Sequence, residues 1–202
     1  GVLALTPFPS ADDALVITGE RRGHPFVALL RDRQRRPRHL PIDGIFAPER
    51  IAVSADGRWL AISSYDAEAP RPRPVLGRRD AFEARARALA IWDLQTMTRT
   101  PGAPLKAIEG ASALAFAPDD RLVASVGFPC NGHHERLIVW SLARSELLLE
   151  RPLSRLDDLR VIDGVILGAG DEALLRVDPR SGEVTTLRSC GDDGSCRIVL
   201  CG

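Results

Sequence analysis

Ile51-Ala52-Val53-Ser54-Ala55-Asp56-Gly57-Arg58-Trp59-Leu60-Ala61-Ile62-Ser63-Ser64 holds two short apolar runs around a turn-forming Asp-Gly pair. A third apolar run follows at Leu89-Ala90-Ile91-Trp92-Asp93-Leu94. Runs of this length, rich in β-branched residues and bounded by Asp, Gly and Ser, read as strands. Asp and Gly tolerate the left-handed backbone angles of a tight hairpin turn.

Working outward, similar tetrads begin at residues 10, 54, 117 and 161: Ser10-Ala11-Asp12-Asp13, Ser54-Ala55-Asp56-Gly57, Ala117-Pro118-Asp119-Asp120 and Val161-Ile162-Asp163-Gly164. An apolar run follows each one, at Ala14 to Thr18, Trp59 to Ser63, Leu122 to Val126 and Val165 to Ala169. The intervals are 44, 63 and 44 residues. The long middle interval contains a Pro/Arg-rich stretch near Asp66 to Arg85, and its removal leaves a constant period of about 44. Two further series of runs accompany the first. One comprises Phe26 to Leu30, Leu89 to Leu94, Leu137 to Leu142 and Ala173 to Asp178. The other comprises Arg38 to Ile42, Pro104 to Ile108, Leu147 to Leu153 and Val184 to Leu187. Evenly spaced short strands in a constant repeat predict an all-β propeller of about four blades with four antiparallel strands each; because an open ring would leave strand edges unpaired, the expectation is that they are part of a larger ring, with a self-contained four-bladed ring as the alternative. The predicted blades are 1-44, 45-109 with the insert 66-87, 110-154 and 155-189. Residues 190-202 form a Cys-containing segment that reads as the start of another blade. Asp80 to Ala90 has the composition of a short helix within the insert.

Composition excludes several classes. The 202 residues balance 27 basic against 27 acidic side chains, so net charge favours neither nucleic acid nor an acidic membrane. All the basic residues except Lys106 are Arg, which suggests a GC-rich, bacterial coding sequence. No run approaches the roughly 20 apolar residues of a membrane span. No G-x-S-x-G, P-loop, H-E-x-x-H or G-x-G-x-x-G occurs, so the expectation is a protein that is not an enzyme and needs no cofactor.

Ser54-Ala55-Asp56-Gly57-Arg58-Trp59-Leu60-Ala61 with Leu89-Ala90-Ile91-Trp92-Asp93-Leu94 resembles a WD-repeat blade. Ala113 to Ala124 with Leu137-Ile138-Val139-Trp140-Ser141-Leu142 is similar to the next one. TolB-like and YVTN-like propellers are close in pattern. The resemblance implies a non-catalytic scaffold that binds a protein or peptide, or another domain of the same polypeptide, through loops and the propeller face. It also implies a module of a larger bacterial signalling or effector protein, with a cytoplasmic location favoured. Two alternatives stay open: an extracytoplasmic TolB-like propeller with disulfides, and a propeller enzyme with a site in the central channel.

Candidate sites follow from residue chemistry. Cys130, His133 and His134 share one loop and have zinc or copper ligand types, although a polar hairpin loop accounts for them more simply. Arg71, Arg73, Arg78 and Arg79 in the insert are candidate partner contacts, because irregular charged segments on a rigid scaffold often carry recognition. Arg35 and Arg36 belong to a basic run, Arg31 to His39, without the interleaved aromatics of a single-strand nucleic-acid binder. Asp192 and Asp193 lack the alternate-residue spacing of a calcium loop. Cys130, Cys190, Cys196 and Cys201 allow three disulfide pairings, among which the sequence does not choose.

Overall fold

The computed structural model describes residues 2–8, 11–21, 24–30, 36–41, 45–66, 87–100, 111–126, 135–154, 156–170 and 172–190. Four sheets follow one another along the chain, each of four strands hydrogen-bonded in sequence order. Blade 1 holds β1 (Val2–Phe8), β2 (Ala11–Arg21), β3 (His24–Leu30) and β4 (Arg38–His39). Blade 2 holds β5 (Ile45–Val53), β6 (Trp59–Asp66), β7 (Arg87–Asp93) and β8 (Thr98–Arg99). Blade 3 holds β9 (Ala111–Phe116), β10 (Arg121–Val126), β11 (Arg136–Ser141) and β12 (Glu146–Pro152). Blade 4 holds β13 (Asp158–Ile162), β14 (Val165–Ala169), β15 (Ala173–Val177) and β16 (Val184–Ser189). The first strands of successive blades pack side by side: β1 on β5, β5 on β9, β9 on β13. The architecture is a β-propeller.

The Asp-Gly and Asp-Asp turns behave as their backbone chemistry requires. Gly57 (φ 70°), Asp120 (φ 59°), Asp163 (φ 50°) and Gly164 (φ 76°) all occupy the left-handed region. Asp163-Gly164 is a two-residue link, with Ile162 and Val165 paired at its ends. A second left-handed series lies in the turns before the outermost strands, at Met97 (φ 59°), Ser145 (φ 53°) and Gly182 (φ 69°). Each stands four residues after a polar side chain that accepts hydrogen bonds from the turn. Asp93 accepts from the amides of Gln95 and Thr96, Ser141 from Arg144, and Asp178 from Arg180 and Ser181. These are side-chain caps on backbone donors that the ladder leaves unpaired.

Packing between blades supplies the core. Val16, Val27, Leu29 and Leu40 of blade 1 meet Val53, Leu60, Ile62 and Trp92 of blade 2. Ala52, Ala61, Leu89 and Ile91 on the other face of blade 2 meet Phe116, Leu122, Ala124 and Trp140 of blade 3. Ala115, Val123, Leu137 and Val139 of blade 3 meet Leu159, Ile166, Leu175 and Val177 of blade 4. Small residues on one side and large ones on the other let the sheets interdigitate at close-packed density. Burying each large aliphatic side chain contributes about 1.5–3 kcal/mol.

A polar link repeats inside this apolar packing. Ser63 on β6 is fully buried, and its hydroxyl accepts the Ala111 amide at the start of β9, at 2.9 Å. Ser125 on β10 is buried likewise and accepts the Leu156 amide before β13, at 3.3 Å. Each hydroxyl satisfies an amide of the incoming blade that would otherwise be buried without a partner.

Several sequence expectations are corrected. Ala88 to Ala90 belong to β7 and not to a helix, because Leu89 and Ala90 are buried in the sheet as β6 partners; residues 80–86 lie outside the described residues. The outer strand of blade 2 is Thr98–Arg99, because the turn after Asp93 is tight and delivers the chain to β7 at once; Pro104 to Ile108 lie outside the described residues. Ala11 to Asp13 begin β2, where a register shift after Pro7 absorbs them. Val161 and Ile162 complete β13, so the fourth turn is Asp163-Gly164 alone. The insert is bounded inside 66–87, because Asp66 ends β6 and Arg87 begins β7.

Gly182 sits at a close contact between blades 3 and 4. A Cβ there would lie well inside van der Waals contact with the Leu149 side chain, and its carbonyl accepts Arg151 Nη1 at 2.6 Å. Gly182→Ala is expected to destabilise the fold by about 1–3 kcal/mol, from overpacking and an unfavourable φ. Urea unfolding measures it, and Leu149→Ala in the same chain should recover part of the loss. An unchanged midpoint for Gly182→Ala alone would refute the assignment.

Candidate functional site

The turns joining first to second strands and third to fourth strands share one rim. Two arginines organise it. Arg58 spans the rim of blade 2, pairing with Asp93 through Nη2 at 3.2 Å and stacking its guanidinium on Trp59 at 4.6 Å. Arg121 pairs with Asp119 at 3.2 Å and donates from Nη1 to the Pro179 carbonyl of blade 4 at 3.1 Å. Arg suits both positions, because its planar fork serves a charge partner and a second acceptor or ring at once. Ser54 Oγ donates to Asp56 Oδ1 at 2.5 Å and accepts the Trp59 amide at 2.8 Å, which locks the turn that holds Arg58.

The acids along this rim are shifted in opposite directions. Asp93 is held below the usual carboxylate range. Burial opposes this, but the Gln95 and Thr96 amides and Arg58 outweigh it. Asp178 is lowered first by the Arg180 amide and then by Ser181. Asp120 is raised, first by burial and then by the Asp56 charge, against the Trp59 indole and Arg58. The Trp59 indole N–H faces that carboxyl without an aligned hydrogen bond.

An open cleft of about 500 Å³ lies at the rim between blades 3 and 4. Pro118 and Asp119 line one side; Gly164, Val165, Arg176, Asp178 and Arg180 are among the residues on the other. Both acids are engaged, Asp119 by Arg121 and Asp178 by backbone amides. Arg176 and Arg180 are exposed, and neither makes an ion pair among the described residues.

Blade 4 also differs from its predecessors on the face beyond this cleft. In blade 2, Ala52, Ala61 and Ile91 form one row across three strands, and all three are buried. In blade 3 the equivalent row is Ala115, Val123 and Val139, also buried. In blade 4 it is Arg160, Leu167 and Arg176: both arginines are exposed and Leu167 is half-buried. Arg160 pairs with Asp158 at 3.0 Å.

Of the residues singled out from sequence, Arg36 lies in an exposed bend before β4. Arg35, Arg71, Arg73, Arg78, Arg79, Cys130, His133, His134, Asp192 and Asp193 lie outside the described residues. Cys190 follows β16 and is disulfide-bonded; its amide donates to the Glu172 carbonyl. Among the described residues no group of three or more His, Cys, Asp or Glu side chains could hold a metal, and no helix is long and apolar enough to cross a membrane. Arg176 and Arg180 escaped the sequence reading. Aligning the repeats strand by strand exposes them, since Arg176 occupies the position of Ile91 and Val139.

No family model matches the sequence, and no curated protein does. Solved structures match its fold. Hydrazine synthase from Kuenenia stuttgartiensis is similar over 97% of this chain and 51% of its own, at 17% identity and a TM-score of 0.63. The β-propeller domain of the trilobed protease from Pyrococcus furiosus, described as having an open velcro topology, is similar over 93% of this chain and 58% of its own, at 14% identity and a TM-score of 0.56. The chain therefore spans about half the length of these structures, and at such identities the likeness defines the class, β-propeller, and the fold alone.

Asp120→Asn should test the rim electrostatics. The raised carboxyl favours the folded state when protonated, and that contribution is lost as pH rises through its folded pKa. The substitution is expected to stabilise the protein at pH 7 by a few tenths of a kcal/mol after solvent screening. Asn also accepts the left-handed φ of this position. Thermal unfolding at pH 7 and near pH 3 checks the sign: the gain should vanish at the lower pH, and a gain equal at both would contradict the assignment.

Proposed function

We propose that the chain is a non-catalytic, WD-repeat-type propeller scaffold that binds a protein or peptide partner, as a module of a larger bacterial signalling or effector protein. The observation that supports this is a long, Arg- and Pro-rich stretch carried between two paired strands of a packed blade. β6 and β7 run in register from Trp59↔Asp93 to Tyr65↔Arg87, so the stretch 67–86 leaves and rejoins the sheet at one anchored point. Arg71, Arg73, Arg78 and Arg79 stand on that stretch. Cores on both sides of blade 2 fix the anchor, so the scaffold itself needs no ordering on binding.

The test starts from in-cell cross-linking of the full chain, expected to recover a partner with cross-links mapping to 67–86. Replacing that stretch with a short Gly-Ser turn should weaken the purified partner's affinity by about tenfold or more and leave the unfolding midpoint in place. An unchanged affinity removes the stretch from the interface; failure to recover any partner overturns the scaffold reading.

A specific observation favours a second reading, an extracytoplasmic TolB-like propeller. Cys190 is disulfide-bonded, and such bonds persist in oxidising compartments. Thiol titration of unreduced protein purified from its natural host is expected to find fewer free thiols than the four cysteines present. Four titratable thiols would exclude this reading.

A further inference from the structure

We propose that the outer seam between blades 1 and 2, flanked by Arg38 of one and Arg99 of the other, docks an acidic segment of a partner protein. The inference rests on the scaffold reading and adds a contact separate from the stretch 67–86. Its first support is where the strand register puts the two arginines. Arg38 on β4 stands opposite Leu29, which is buried against blade 2. Arg99 on β8 stands opposite Trp92, which is buried against blade 1. Residues directly opposite on paired strands share a face, so the two arginines come from opposite sides of one blade interface. Trp92 ties those sides together: its Nε1 donates to the Pro41 carbonyl of blade 1 at 3.2 Å, and the Arg99 guanidinium lies 5.8 Å from the same ring.

The second support is a break in the repeat between two blades that are packed on each other. At the interface of blades 3 and 4 the equivalent positions are Leu149, opposite Val139, and Val184, opposite Val177. Both pack onto the core and seal that seam with apolar side chains. At the seam of blades 1 and 2 both positions are arginine, and both are exposed. The described segments that form it, 36–41 and 94–100, carry Arg36, Arg38 and Arg99 and no acid. None of these arginines makes an ion pair among the described residues. Cations held at one seam repel one another, and a carboxylate between them replaces that repulsion with charge-assisted hydrogen bonds.

The third support favours a protein segment over a free ion. The arginines stand on β4 and β8, which are sheet edges of two residues each, against seven in β12 and six in β16. An edge strand presents backbone N–H and C=O groups without a ladder partner. A free anion uses the guanidinium groups alone. An extended segment pairs with an edge and presents alternate side chains to one side, so carboxylates at alternate positions reach the arginines while its backbone meets the edge.

The probe is a fluorescein-labelled Glu-Val-Glu-Ser-Glu-Val peptide titrated with the full chain and followed by anisotropy, with Gln-Val-Gln-Ser-Gln-Val as the control. The acidic peptide is expected to bind and the neutral one to show no saturable signal. Arg38→Gln/Arg99→Gln should weaken binding by about tenfold or more. Arg176→Gln/Arg188→Gln removes the same charge at exposed positions of blade 4 and should leave the affinity within about twofold, as expected for remote charges under screening. Arg38→Leu/Arg99→Val copies the seam of blades 3 and 4; it should abolish saturable binding and leave the urea midpoint unchanged or raised. A lower midpoint in that variant would assign the arginines to the fold and overturn the proposal. So would no binding by the parent chain, or equal loss in the two Gln double variants. Full displacement by inorganic phosphate at the peptide's own concentration also overturns it, by making the seam a small-anion site. Peptide failure with partner binding through 67–86 intact would sink this inference and leave the scaffold reading standing; failure to recover a partner with peptide binding intact would do the reverse.

Discussion

Face-to-face packing of successive sheets is the constraint on which the structure depends. A four-stranded meander of this size cannot bury its own apolar side chains, because both faces point outward. Each blade is completed by its neighbours: Trp92 and Leu60 of blade 2 rest on blade 1, and Trp140 and Leu122 of blade 3 rest on blade 2. The small side chains Ala52, Ala61, Ala113 and Ala115 allow the close approach that brings β5, β9 and β13 side by side. Ser63 and Ser125 sit within these cores as hydrogen-bond acceptors for the next blade, so stacking and chain entry are coupled.

The rim follows from that packing. With the blades fixed, their turns converge, and side chains far apart in sequence become neighbours. Arg121 reaches Pro179, and the Asp56 charge comes close enough to oppose ionisation of Asp120. The left-handed residues repeat because the geometry repeats: Gly57, Asp120 and Asp163 in one series, Met97, Ser145 and Gly182 in the other. Asp93 and Asp178 hold their turns as ionised caps. Their depressed pKa values mean that the stability they add is lost only as pH falls through those values.

Much of the fold was legible because a repeat amplifies weak signals. One Asp-Gly pair is common, but four tetrads ahead of apolar runs, at intervals that match once the insert in the second repeat is removed, indicate a propeller. Legibility failed where local pattern and tertiary pairing disagreed. Ala88 to Ala90 have helical composition, yet Ile62 and Ser63 of β6 hold Ala90 and Leu89 in strand geometry, and buried sheet contacts outweigh helix propensity. Thr98–Arg99 is too short and polar to announce itself as a strand. The cleft was less legible still. Arg176 and Arg180 look like ordinary surface arginines in sequence, and only the register Leu167↔Arg176 places one in a row that is apolar in two other blades.

What the sequence by itself determined was the class of element and its period: short strands, Asp and Gly at the turns, four repeats, one insert in the second. These are local properties, written in backbone tolerance and in the spacing of apolar residues. What only the tertiary structure decided was which face of each blade is covered and which charges remain without a partner. Burial and ion pairing depend on residues from different repeats meeting in space. Val139 and Arg176 occupy equivalent strand positions; the first is buried against the next blade and the second is exposed at the cleft.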